Sequence, residues 1–308
     1  MPSRSCKAGF AILAALLLAR AAVAAEDCQS NTDDCVAVGH WNFSIALGGG
    51  VRTNPLASSA SIPLVVIPQV SFYGKRFFLD DLDVGFTLAD AGENTINLIA
   101  SPGYDRVYFY RSDLQNFFVS GFTETSSTVS PPPAGGAGSA PPQGGTGTSP
   151  PSSSVGVTHT TTTTTTARFP SRTPRVTYLA GPEWTFAHGG LSAQVDLLHE
   201  ITDQNEGNEI RAAIGERFTA AHGLLTVNAG ITWNSAAIVN YYYGAANVYK
   251  GGAALDPFIK LGFAHPLGAR WRFNSFVEYE HLAAAVAGSP IVNQNHVTTV
   301  FAGFVYGF

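Results

Sequence analysis

The sequence predicts an all-β fold: a transmembrane antiparallel up-and-down β-barrel of about twelve strands, with both termini periplasmic. Three observations carry this. The chain closes on Phe301-Ala302-Gly303-Phe304-Val305-Tyr306-Gly307-Phe308, an alternating aromatic run that would be an aggregation liability on a soluble edge but suits the closing strand of an edgeless membrane barrel. It opens on an export-type leader. Between the two, segments of about ten residues alternate apolar and polar side chains, the length and period of a tilted membrane strand.

The elements follow in chain order. Residues 1–25 read as a cleaved signal peptide: Arg4 and Lys7 are basic, Phe10 to Ala19 is apolar, and Ala22-Val23-Ala24-Ala25 offers small-residue cleavage sites. Arg20 keeps that run well under the ~20 residues a spanning helix needs. Residues 26–308 are then the barrel, destined for the outer membrane of a Gram-negative cell. Cys28 and Cys35 are expected to close a small disulfide loop in the oxidising periplasm, metal binding by the pair being the weaker alternative.

Residues 43–52 set Phe43, Ile45, Leu47 and Val51 against Ser44, Ala46, Gly48, Gly50 and Arg52. Residues 62–73 carry Pro63 and Pro68, each lacking a ladder donor, so a distorted strand is expected. Tyr73-Gly74-Lys75-Arg76 reads as a tight hairpin with Gly74 at positive φ. One weak strand is expected between 104 and 122. Residues 124–167 are Ser/Thr/Pro/Gly almost throughout, with a Thr160–Thr166 tract, and are expected to be a disordered loop inside the barrel domain.

Segments 175–186, 191–200, 224–234 and 270–282 repeat the alternation; in the last, Trp271, Phe273, Val277 and Tyr279 oppose Arg270, Arg272, Asn274, Glu278 and Glu280. Short turns at 73–76, 187–190, 220–223 and 265–268 rotate with longer connections at 53–61, 89–94, 202–208, 235–252 and 284–295, as periplasmic turns rotate with outer loops. In the final strand Thr298, Val300, Ala302, Phe304, Tyr306 and Phe308 share the outward face. Gly303, Tyr306 and Phe308 resemble the C-terminal assembly signal of bacterial outer-membrane proteins, with Phe301 standing where a polar residue is usual.

Composition narrows the function. Only 13% of residues are charged, against roughly 25% in soluble domains. A net charge of −5 disfavours nucleic acid as a partner. Arg52, Asp81, Asp83, Glu183, Asp196, Arg211, Arg217, Lys260, Arg270, Arg272, Glu278 and Glu280 are expected to face the lumen, either cross-linked by ion pairs or lining a pore. No catalytic set emerges, so no enzyme and no cofactor are expected: Ser192 and His199 stand roughly 23 Å apart along one strand. His188, His222 and His265 fall on turns, where polarity explains them without a metal. Tyr104, Arg106, Tyr108, Tyr110 and Arg111 form an aromatic and basic cluster, read either as a periplasmic partner contact or as a girdle or the missing strand.

Several stretches resemble the MltA-interacting protein family, also called MipA/OmpV. They are Gly48-Gly49-Gly50-Val51-Arg52-Thr53-Asn54-Pro55-Leu56, Ile67 to Phe78, Ser101-Pro102-Gly103-Tyr104-Asp105-Arg106, Tyr241-Tyr242-Tyr243-Gly244 and Ser289-Pro290-Ile291-Val292. The resemblance implies an outer-membrane barrel in contact with lipid. It also implies a scaffold joining a murein lytic transglycosylase to a murein synthase, with no catalytic residues to carry over. Two functions therefore stand: a scaffold linked to peptidoglycan enzymes, and a channel or uptake barrel for small solutes. A lumen filled with side chains favours the first; a continuous water path favours the second.

Overall fold

The computed structural model describes residues 39–57, 59–110, 174–220 and 223–308. The leader, Cys28, Cys35, Arg111, the 124–167 segment and His222 lie outside these residues. Twelve antiparallel strands close a barrel: β1 (Trp41–Arg52), β2 (Ile62–Tyr73), β3 (Phe77–Asp80), β4 (Asp83–Ala91), β5 (Asn94–Pro102), β6 (Tyr178–His188), β7 (Leu191–Glu200), β8 (Asn208–Ala220), β9 (Gly223–Asn234), β10 (Ala254–Pro266), β11 (Trp271–His281) and β12 (His296–Gly307). Each strand pairs with its sequence neighbour, and β12 closes on β1 from Ser44↔Gly307 to Arg52↔Thr299. No helix among the described residues is long and apolar enough to cross a membrane; the crossing is made by strands.

The outer surface is apolar. Phe43, Leu47, Phe86, Leu98, Trp184, Leu197, Ile214, Ile259, Leu261, Val277 and Phe304 are all exposed, far more large apolar surface than a soluble domain presents. Period two places these residues outward and sends their polar neighbours into the lumen. The expected faces of β1, β7, β9, β11 and β12 are all observed.

The twelfth strand arises differently from the expectation. Residues 104–122 do not supply it within the described part: Tyr104–Tyr108 is a 3-10 turn. Instead 77–91 splits into β3 and β4 around Asp81-Leu82. The four-residue β3 pairs only Ser71–Tyr73 of β2, so this turn lies part-way up the wall. Asp81, at φ 52°, ends the hairpin by accepting the Val70 N–H on Oδ1, and therefore caps a strand rather than lining a pore. The connection at 89–94 is correspondingly a tight turn, with Gly92 at positive φ, at the same end as 74–76. Gly74 itself is not at positive φ; a Cβ there would meet Phe77 O at 2.9 Å, so close approach explains it.

Pro68 fits the same geometry. Val70, two residues on, directs its N–H and C=O away from β1 to Asp81. Pro68 shares that direction, so its missing N–H costs no bond in the β1–β2 ladder.

Candidate functional site

The long connections gather at one mouth of the barrel and fold inward as a lid. Its pieces are residues 53–57 after β1, the 3-10 turn after β5, helix α1 (Ala236–Tyr243) after β9, and a short helix α2 (Ala284–Ala287) after β11. Leu56, Val107, Tyr108, Ile238, Val239, Tyr242, Tyr243, Val286 and Val292 bury against Ile99, Leu179, Leu198, Ala254 and Val297 of the wall. Burying this apolar surface is what drives the connections together.

Polar contacts cross-brace the pieces. Asn54 Nδ2 donates to Tyr108 O at 2.8 Å, while Asn54 Oδ1 accepts the Leu56 N–H at 3.0 Å. Asn293 N donates to Pro55 O and Ala57 N to Ile291 O, tying the first connection to the last. Ser289 Oγ donates to Tyr243 O at 2.6 Å, and Tyr249 OH to Ala285 O at 2.8 Å. Asn240 bonds both the carbonyl and the N–H of Gly251. Tyr242 OH pairs with Thr177 Oγ1 at 2.8 Å directly over Gly103, where a Cβ would lie 2.3 Å from that oxygen.

Beneath the lid the lumen is crossed by two polar belts, each running strand to strand through directly opposed partners. One runs Asn97, Glu183, Asp196, Arg211, Thr232, Asp256. The other runs Asn228, Lys260, Glu278, Thr299, Arg52. In the first, Asn97 Nδ2 donates to Glu183 Oε1 at 2.6 Å, and Gln194 Nε2 bridges Glu183 and Asp196. Arg211 is 3% exposed and pairs through Nε with Glu209, donates through Nη1 to Ser101 Oγ at 2.9 Å, and stacks on the Tyr104 ring. In the second, Lys260 Nζ lies 4.0 Å from Glu278 and 4.9 Å from the Phe276 ring centre, and Arg52 Nε donates to Thr299 Oγ1 at 3.4 Å.

From the level of the second belt towards the other mouth, Phe301, Phe276, Ile62, Leu64, Ile67, Ala46 and Val305 form an apolar cluster. Arg272 donates to Gln69 there at 3.1 Å. Inward side chains are therefore packed or bonded to one another at three levels of the barrel.

Most lumen charges stand where expected, Arg217 on the inward parity of β8 among them. Two corrections apply. Arg270 is exposed on the β10–β11 turn, bonded to Tyr306 OH, because the strand begins only at Trp271. The cluster expected as a periplasmic contact lies at the opposite mouth from the short turns: Tyr104 contacts Arg211, Tyr108 is buried and donates to Glu280, and Arg106 reaches Pro174 O and the Tyr110 ring. Tyr104, Arg106 and Tyr108 are thus built into the lid. The reason is topological: β4–β5 turns at the short-turn end, which sends the β5–β6 connection to the other.

Asp105 and Glu209 were not singled out from sequence. Asp105 lies in the 3-10 turn, off every strand, so a period of two gives it no face, whereas Glu209 shares the inward parity of Arg211 on β8. Tyr243 OH donates to Asp105 Oδ1 at 3.0 Å. Removal from water, then the Glu209 and Asp256 carboxylates, push Asp105 up to about 7 from its ordinary 3.8. Burial likewise raises the phenols of Tyr104, Tyr108, Tyr242 and Tyr243, all of which stay neutral. Among the described residues no group of three or more His, Cys, Asp or Glu is placed to hold a metal ion. Ser192 bonds Gly215 O, while His199 pairs with Asn208 near the lid, at the far end of β7.

A closed antiparallel barrel with an apolar outer wall and a polar interior defines the class: a transmembrane β-barrel of the outer-membrane type. The chain belongs to the MltA-interacting protein MipA family, whose model matches residues 45–308. No functionally curated protein matches the sequence. Among solved structures the chain is similar to the COG4313 outer membrane channel from Pseudomonas putida F1, at 8% identity and a TM-score of 0.41, covering 92% of this chain and 100% of that one. It is also similar to an anion-selective porin from Comamonas acidovorans, at 11% identity and a TM-score of 0.30, covering 87% and 98%. A third is OmpT of Vibrio cholerae, at 10% identity and a TM-score of 0.31, covering 87% and 97%.

The family-like stretches gain a physical meaning here. Asn54-Pro55-Leu56, Gly103-Tyr104-Asp105-Arg106, Tyr241-Tyr242-Tyr243-Gly244 and Ser289-Pro290-Ile291-Val292 are far apart in sequence and interlock in the lid.

Proposed function

We propose that this chain is a closed outer-membrane scaffold that acts by binding, without catalytic turnover, and meets murein enzymes through the mouth that carries the short turns. The carrying observation is the occupied inner wall: a cross-braced lid at one mouth, two polar belts of opposed partners beneath it, and an apolar cluster further along. A barrel evolved to pass solutes would keep that volume wet. The first partner class, a murein lytic transglycosylase, comes from the family description, which names an interaction with MltA; the second, a murein synthase, is only what the family resemblance implies. The rim opposite the lid exposes Lys75, Arg76 and Arg270, a basic set that a partner could contact.

The test pairs two measurements on the full chain in detergent and in planar bilayers. Purified lytic transglycosylase should be captured by the wild type and captured less by Lys75→Glu/Arg76→Glu/Arg270→Glu, while the wild type shows no stepwise conductance at pH 6. Clear single-channel steps with no capture would overturn the scaffold and leave the solute channel.

A further inference from the structure

The basic rim flanks the point where the chain enters the wall. Gly39 N donates to Tyr73 O at 2.7 Å, so the residues leading into β1 arrive beside the β2–β3 turn that carries Lys75 and Arg76. On the other side Gly307 N donates to Arg270 O at 3.0 Å, which sets Arg270 at the foot of β12, the neighbour of β1. β2 and β11 stand three strand spacings apart, about 14 Å. All three bases are exposed, and the Lys75 and Arg76 side chains have no bonded partner among the described residues. The acids of the neighbouring β4–β5 turn are engaged elsewhere: Glu93 pairs with His188, and Asp90 Oδ1 accepts the Gly92 N–H at 3.1 Å. The stretch that leads to Gly39 has the opposite charge. Residues 26–38 hold Glu26, Asp27, Asp33 and Asp34 and neither Lys nor Arg. The bridge expected between Cys28 and Cys35 would set the two acidic pairs side by side.

We propose that residues 26–38 are a tethered acidic occupant of this rim: Glu26, Asp27, Asp33 and Asp34 cover Lys75, Arg76 and Arg270, and an acidic partner docks there by displacing them. Reach is sufficient, since these residues extend to at most about 45 Å, three times the span between the two turns. The tether holds the acids at an effective concentration on the order of millimolar, without any free ligand. Each exposed ion pair is weak and screened by salt. The cover therefore excludes singly charged competitors and yields to a partner that presents several acids on a fixed surface.

Photo-cross-linking tests the contact on the protein purified from membranes into an uncharged detergent. Asn31, between the two acidic pairs, is replaced by p-benzoylphenylalanine, and the linked peptides are mapped by mass spectrometry. The links should fall on the turns at 74–76 and 267–270. They should drop about fivefold or more in 0.5 M salt, where the Debye length is about 4 Å, and by a similar factor in Lys75→Glu/Arg76→Glu/Arg270→Glu. Links spread evenly over the other short turns, links between two chains, or links indifferent to the charge reversal overturn the proposal. So does their loss in vesicles containing phosphatidylglycerol, where lipid would hold the rim instead. Should the reversed chain fail to insert, Glu26→Gln/Asp27→Asn/Asp33→Asn/Asp34→Asn decides: undiminished linkage overturns it. The displacement rests on the scaffold reading. The neutralised chain should capture lytic transglycosylase about threefold or more better than the wild type, and equal capture overturns the displacement. Linkage needs no partner, so failure of the contact and failure of capture are separate results.

Discussion

Phe301 fills the lower lumen because three glycines let it. It points inward from β12, and a Cβ on Gly48 or Gly303 would lie 2.8 Å from its ring tip, with Gly50 as tight at 3.0 Å. Bare backbone on β1 thus forms a seat for the ring, which also stacks on Phe276 with centroids 5.9 Å apart. A polar side chain at 301, usual in the terminal pattern, would leave that seat empty and bring a polar group into an apolar cluster. Phe301→Ala should cost about 3–5 kcal/mol, because the glycine backbone cannot collapse into the space. Urea unfolding of the purified barrel would measure it; a loss under 1 kcal/mol would mean the cluster contributes little.

At the scale of the element, β12 is the seam. It pairs with β11 on one side and β1 on the other, and its end is fastened beyond the last register pair. Phe308 N donates to Phe43 O at 3.0 Å, and its ring meets Tyr306 edge-on at 5.1 Å beside Trp271. The aromatic terminus is thus both an outward anchor at the barrel rim and the last rung of closure. Deleting Phe308 should cut the yield of membrane-inserted, heat-modifiable protein several-fold in cells. Normal yield from the truncated chain would refute the assembly role of Gly303, Tyr306 and Phe308.

At the scale of the molecule, wall and lid are separable structures. The wall's hydrogen bonds run strand to strand around a closed ring, and none of the ladders needs the lid. Replacing residues 236–250 with a short Gly/Ser linker should therefore leave a folded, heat-modifiable barrel, since loop closure depends only weakly on loop length. It should also remove Ile238, Val239, Tyr242 and Tyr243 from the mouth and let ions leak through in planar bilayers. A barrel that fails to fold without α1 would show that the lid supports the wall; a folded barrel that stays fully sealed would place the seal in the belts and the Phe301 cluster.

The chain's own text determined the wall and its faces. Outward and inward sets on β1, β7, β9, β11 and β12 follow from a period of two, a local rule that each strand obeys alone. The short turns and the closing aromatic strand are legible for the same reason. What only the tertiary structure decided is where distant pieces meet. The split of 77–91 into β3 and β4 depends on Asp81 reaching Val70 across the hairpin, and that split moved the Tyr104–Tyr110 cluster to the opposite mouth. The lid joins Asn54 to Tyr108, Asp105 to Tyr243 and Ser289 to Tyr243 over long sequence separations. No periodicity marks such contacts. They form because the closed barrel brings the lid connections to one rim, where burying their apolar side chains against one another is favourable.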